Sequence, residues 1–402
     1  MRISETIYLD HQATTPVAQR VLDRMLPYFR EAFGNPHSAD HTLGWNSSLA
    51  VEQAAAQVTG LIGADPDEII FTSGATEANN MALLGLARRV RSISRRRRFI
   101  LSEIEHKCVL TAERAISDQH GLPVDHLPVD QEGRILLASL ENALNDDVLA
   151  VSIMAVNNEI GTIQDIQKIS EHARNAGAIF HCDAAQAPIS MDLRGIAEHV
   201  DMLSLSAHKM YGPKGIGALY VSRELQDRVE PLIYGGGQQG GLRSGTVPTA
   251  LCVGMGTAAE LLSGDEAMQK RALLRQRRDR FLEKLSDLPW SIRLNGPSEE
   301  SRHPGNANIC FEGFFAQDIL QVLQPHLAAS TGAACTSGIP ELSHVLKAIG
   351  LSPEDAEASI RFSLGFDTTD TDIDDAVNLI DNALGKLSNN GLFSDKVYRA
   401  VG

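Results

Sequence analysis

EIIFTSGATE, residues 68–77, holds the pattern that decides the fold: a short apolar run, a small-residue turn, then a helix start near Asn79. The same grammar recurs along the chain. Apolar runs stand at FILSE (99–103), VLAVSIM (148–154), AIFHC (178–182), DMLSLS (201–206) and GALYV (217–221). Helical stretches of about ten residues or more separate most of them, as in parallel sheets covered on both faces. Right-handed crossovers follow. Upstream, segments 17–32 and 47–63 space apolar residues three and four apart, as amphipathic helices do. Residues 247–286 read as a long helical region whose Arg271, Arg275, Arg277, Arg278 and Arg280 sit on solvated turns, with a domain boundary near 260–290.

The chain has 402 residues, 43% hydrophobic and 22% charged. This composition excludes disordered, collagen-like and coiled-coil classes. A net charge of −15 argues against nucleic acid and anionic membrane as partners. The run Arg95–Arg98 reads as a solvated loop before a strand. No stretch is long and apolar enough for a membrane helix, and the start MRISETIYLD carries no apolar targeting core. Five scattered cysteines without a C-x-x-C pair fit a reducing, cytoplasmic setting, with no disulfide framework or zinc site expected.

In an open α/β sheet, ligands bind beyond the carboxyl ends of the strands. There the chain places Ser73-Gly74-Ala75-Thr76, then His106, then Asn157-Asn158, then Asp183 and Gln186, then His208-Lys209. Small residues before a helix suit a phosphate, because backbone N–H groups and the helix dipole both face it. A lysine, a carboxylate and a histidine above one sheet match what pyridoxal phosphate needs: an amine for its aldehyde, a partner for its ring nitrogen and a group against its ring face. GGGQQG (235–240) formally fits a dinucleotide fingerprint but opens no clear helix. His37 and His41 read as loop residues, and no metal is expected.

YLDHQATTP (8–16), FGNPHS (33–38), FTSGATEANN (71–80), EHK (105–107), VNNEIG (156–161), HCDAAQ (181–186), SAHKMYGPKGIGALYV (206–221), GGGQQGGLRSGT (235–246), TGAACTSG (331–338) and SIRFSLG (359–365) occur in this order. Together they closely resemble the NifS/IscS-type cysteine desulfurases of the class V aminotransferase family. The resemblance implies a fold-type-I, pyridoxal phosphate-dependent α/β enzyme. It would have a mostly parallel, seven-stranded-type sheet in a large domain (15–262). A smaller α/β domain (1–14 plus 263–402) would carry the nucleophile loop and the substrate arginine.

By the same resemblance Lys209 is the Schiff-base lysine, Asp183 the partner of the pyridine nitrogen, Gln186 that of the ring hydroxyl, and His106 the stacking acid/base. Ala75, Thr76, Ser206 and His208 would hold the phosphate, with Thr246 reaching it from the second subunit of a homodimer. Arg361, helped by Asn158, would grip the carboxylate of L-cysteine. Cys335, among small polar neighbours that offer no core, matches the nucleophile. Its proton would pass to His106 or to the substrate amine, and spacing does not choose between them. The implied reaction turns L-cysteine into L-alanine and leaves a persulfide on Cys335 for a sulfur-acceptor protein, as in iron–sulfur cluster biogenesis or tRNA thiolation. Selenocysteine lyase and a same-fold aminotransferase are the alternatives. Cys108, Cys182, Cys252 and Cys310 read as small core residues.

Overall fold

The structure is a computed structural model and describes residues 1–90, 95–297, 299–331 and 342–389. The chain enters as β1 (Arg2–Ile3) and β2 (Thr6–Tyr8). It then builds β3 (Ile69–Thr72), β4 (Arg98–Ser102), β5 (Val124–Leu127), β6 (Val148–Ser152), β7 (Ile179–Asp183), β8 (Met202–Ser206) and β9 (Gly217–Val221). These seven form one sheet in the order β3-β9-β8-β7-β6-β4-β5. The pairs from β8 to β5 are parallel, and β9 runs antiparallel to both neighbours.

The apolar runs are continuous because both sheet faces are buried. Ile100, Phe180, Cys182, Leu203 and Leu205 point into one core, shared with helices Thr42–Ile62 and Thr249–Leu262. Their neighbours Phe99, Leu101, Ile179 and Met202 point into the opposite core, under helices Ala75–Arg89 and Lys107–His120. This is the two-residue alternation of a strand placed between two layers.

A third core lies around the antiparallel strands β10 (Ile292–Leu294), β11 (Asn306–Phe311) and β13 (Ser359–Ser363). Helices Asp265–Ser286, Ala316–Leu323 and Asp370–Asn389 cover it. The N-terminal Ile7 and Leu9 are buried in this core, and β2 pairs parallel with β12 (Leu327–Ala328).

Several local expectations change. The helix expected near Asn79 begins at Ala75, since Gly74 at φ +150° takes a backbone state open mainly to glycine. Segment 17–32 is two helices, Gln19–Met25 and Pro27–Arg30, and the long region at 247–286 breaks at Ser263-Gly264. Arg271 and Arg278 are not on solvated turns: both are buried. The Arg271 guanidinium donates to the carbonyls of Pro188 (2.7 Å) and Leu262 (3.0 Å), which compensates its desolvation. Arg96, from the basic run, is likewise committed to the carbonyls of Val148 and Ala176. His41 caps the helix Thr42–Ile62 by accepting from Gly44 N–H.

Candidate active site

The carboxyl ends of β3, β4, β6, β7 and β8 open on one cleft of about 690 Å³. Its lining includes Ala75, Thr76, His106, Asn158, Asp183, Gln186, Ser206, His208, Lys209 and Arg361. Thr246 is exposed in a separate recess beside Phe29 and Phe33. Cys335 falls outside the described residues.

Each side chain is set by the local fold. At the end of β3, Ser73 N–H donates to Glu77 (2.6 Å), and Glu77 pairs with Arg243 (2.8 Å). The carboxylate thus fixes the turn, and the first-turn N–H groups of the Ala75 helix have no partners within the helix. Gly217 of β9 presses against this turn: a Cβ there would meet the Leu205 carbonyl oxygen at 2.5 Å and Gly74 Cα at 2.6 Å. Ser206 and His208 face the turn from β8 and just beyond it, and His208 Nδ1 lies 3.1 Å from Thr14 Oγ1. Burial, followed by the charges of Lys209 and Lys214, pushes His208 down to about 4.

At the end of β7, Asp183 is buried with both carboxylate oxygens committed. Oδ2 accepts from Asn79 Nδ2 (2.7 Å) and Oδ1 from Ala185 N–H (2.9 Å). Lys209 Nζ donates to the carbonyls of Gln12 and Ala13, the latter at 2.7 Å. Burial first, and the Arg361 charge second, lower this amine to about 8. Gln186 Nε2 donates to the same Gln12 carbonyl (2.9 Å).

Arg361 comes from β13 and reaches across to the large sheet. It donates to Asp10 Oδ1 (2.6 Å) and to the carbonyl of Asn158 (2.9 Å), and its buried Nε has no partner among the described residues. Asn158 therefore meets Arg361 through its backbone. The neighbouring Asn157 is a turn-former, accepting from the N–H groups of Glu159 and Ile160.

Asp10, Gln12, Asn79 and Cys108 belong to this cleft or its wall, and sequence reading did not place them there. Asn79 lies four residues past the turn, on the inward side of its helix, and that spacing was the available signal. Gln12 and Asp10 lie far from the sheet in sequence and gave none.

The arrangement fits pyridoxal phosphate on its own chemistry. It offers free helix N–H groups and hydroxyls for a phosphate, a buried carboxylate for a ring nitrogen, and a depressed lysine for an aldehyde. It also holds a histidine open to the cleft. With the doubly covered parallel sheet, this defines a pyridoxal phosphate enzyme of fold type I.

The model of the aminotransferase class-V family matches residues 7–376. A cysteine desulfurase IscS of Rickettsia akari (strain Hartford) is 46% identical over 384 residues, covering 95% of this chain and 92% of the relative. Among solved structures, a NifS-like protein superposes with TM-score 0.88 at 33% identity, covering 96% of this chain and 100% of the other. SspA in complex with cysteine gives TM-score 0.77 at 37% identity, covering 89% and 98%. The chain belongs to the aminotransferase class-V family and, within it, to the NifS/IscS-type cysteine desulfurases.

Proposed function

We propose that this cleft takes L-cysteine, releases L-alanine and leaves the sulfur on Cys335 as a persulfide for an acceptor protein. The observation that carries this reading is the meeting of Lys209, Asp183, His106 and Arg361 around one cleft. When bound, pyridoxal phosphate supplies an aldehyde for the substrate amine and a ring that takes up the electron pair released at Cα.

The chain's own residues do the rest. The Ala75–Thr76 turn, Ser206 and His208 would hold the phosphate. Asp183, kept in place by Asn79 and Ala185, would keep a proton on the ring nitrogen, and Gln186 would serve the ring hydroxyl. The Arg361 fork binds the substrate carboxylate. Lys209 moves the proton at Cα, and a pKa near 8 leaves a useful share of free amine at neutral pH. The Cys335 thiolate attacks the substrate sulfur, and the C–S bond breaks.

A homodimer completes the site in this proposal, with Thr246 of each chain directed to the other. The exposed Phe29 and Phe33, which line the same recess as Thr246, and the exposed Trp45 and Leu49 of helix Thr42–Ile62 support it. The third core supports a small domain of 1–14 plus 263–402 beside a large domain of 15–262. No helix among the described residues is long and apolar enough to cross a membrane. The four described cysteines are free, which suits a cytoplasmic enzyme.

Cys335→Ala tests the proposal: the purified variant is to keep the visible absorbance of bound cofactor yet release almost no sulfide from cysteine. Turnover near wild type in that variant would refute the assigned nucleophile.

A further inference from the structure

Cys108 is a buried thiol on the wall of the cofactor cleft that the desulfurase reading leaves without a task. Its surroundings are specific. His106 is the N-cap of helix Lys107–His120, and its Nδ1 accepts from Cys108 N–H at 3.2 Å. The same Nδ1 lies 3.0 Å from Cys108 Sγ. On its other side the sulfur accepts from Asn79 Nδ2 (3.2 Å), and that amide also donates to Asp183 (2.7 Å). One chain of contacts therefore runs from Asp183 through Asn79 and Cys108 to His106.

Proton positions follow from this connectivity. Burial, followed by the Asp183 charge, pushes the thiol up to about 12, so it keeps its hydrogen. The sulfur accepts from Asn79 and also meets the side chain of Thr76, each a donor to sulfur, and the S–H points to the lone pair of His106 Nδ1, 3.0 Å away. A ring nitrogen receiving both an S–H and a backbone N–H carries no proton of its own. The hydrogen of the neutral ring is then on Nε2.

We propose that Cys108 is a positioning residue, whose S–H on Nδ1 holds His106 as the neutral Nε2–H tautomer. His106 then presents a hydrogen-bond donor to the cleft, not a base. Of the two groups the resemblance leaves open for the Cys335 proton, this selects the substrate amine. The inference rests on the desulfurase reading and specifies the task of one residue within it.

The other groups facing His106 agree with a neutral ring. Burial is the largest influence and lowers its pKa; Lys209, His344 and Lys107 lower it further, and only Asp183 opposes them. Facing the thiol, Glu105 and Asp183 both favour the protonated form.

The test is 15N NMR of histidine-labelled holoenzyme across pH, with the His106 signals identified by their loss in H106Q. Wild type is to show the Nε2–H tautomer. In C108A the backbone N–H still holds that tautomer, but a donor to the neutral form is lost. The His106 pKa is then to rise by about half to one unit, the equivalent of one hydrogen bond. C108S, which restores a donor, is to titrate as wild type, and the pH dependence of the cofactor's visible absorbance is to move in parallel. Should C108A fail to fold, C108V, which fills the space without a donor, is read in its place.

An Nδ1–H tautomer in wild type overturns the inference. So does an unmoved pKa in the donor-free variant, or a C108S shift as large as that of C108A. Those results in an enzyme that still desulfurates cysteine leave the functional proposal standing. A wild-type enzyme that does not desulfurate refutes the proposal instead.

Discussion

The reactivity of Lys209 is the most direct consequence of the site's electrostatics. An amine adds to an aldehyde only as the free base. Burial and the Arg361 charge bring Lys209 from the ordinary 10.5 to about 8. The free-base fraction of such an amine is about 0.09 at pH 7 and about 0.9 at pH 9, a rise of roughly tenfold that levels off. A lysine at its ordinary value would pass from about 0.0003 to about 0.03, roughly a hundredfold and still climbing. The assay is the initial rate of cofactor loading into stripped protein, followed by the appearance of visible absorbance at constant ionic strength. The expected profile bends near pH 8. A rate that keeps rising about tenfold per unit through pH 9 would mean that the amine is solvated, and the argument from burial would be wrong. Arg361→Gln, which removes the cation that depresses it, is to move the bend upward.

Arg361→Lys keeps the positive charge but loses the fork; at about 2 kcal/mol for a charge-assisted hydrogen bond, KM for cysteine is to rise roughly 30-fold with a smaller change in kcat, and steady-state kinetics reads the split. Gly217→Ala forces a methyl group against backbone atoms of Leu205 and of the turn at Gly74 and is to cost about 3 kcal/mol in denaturant unfolding; a change below 1 kcal/mol would show that the turn is not packed as described. His181 is fully buried between Ser152 Oγ (2.8 Å) and Ser204 Oγ (3.1 Å), and burial holds it near 3, far below its unfolded value of 6.5. The unfolded chain therefore takes up this proton first as pH falls. The stability tied to His181 is complete above pH 6.5 and is lost toward pH 3, by up to about 1.4 kcal/mol per unit. Unfolding at pH 6.5 and 5 is to show a shallower loss in His181→Gln than in wild type, and equal slopes would refute the assignment.

Strand-end chemistry was legible in the sequence because it is local. Gly74 before Ala75, His106 after β4, and Lys209 three residues past β8 lie where an apolar run stops, and the sheet gathers them without further information. What could not be read were contacts between distant segments. Arg361 meets Asp10 across 351 positions, and Lys209 meets the carbonyls of Gln12 and Ala13 across nearly 200; no periodicity encodes such meetings. Arg271 and Arg278 misled for a related reason. A charged residue in a helix reads as solvated unless one knows which carbonyls come to meet it.

The segment 235–246, which formally matched a dinucleotide fingerprint, has a different use. Gln239 lays its side-chain amide on β3, accepting from Phe71 N–H (2.7 Å) and donating to Phe71 C=O (3.0 Å). Because β3 is one of the two edge strands, that amide imitates one residue of an eighth strand and blocks this edge against adventitious strand addition. The same tether fixes the loop that ends at Thr246 to the strand leading into the Ser73-Gly74 turn. In the proposed homodimer, subunit pairing would then meet a ready-made arm and need not fold one, so association would proceed by rigid docking, with little ordering entropy to overcome.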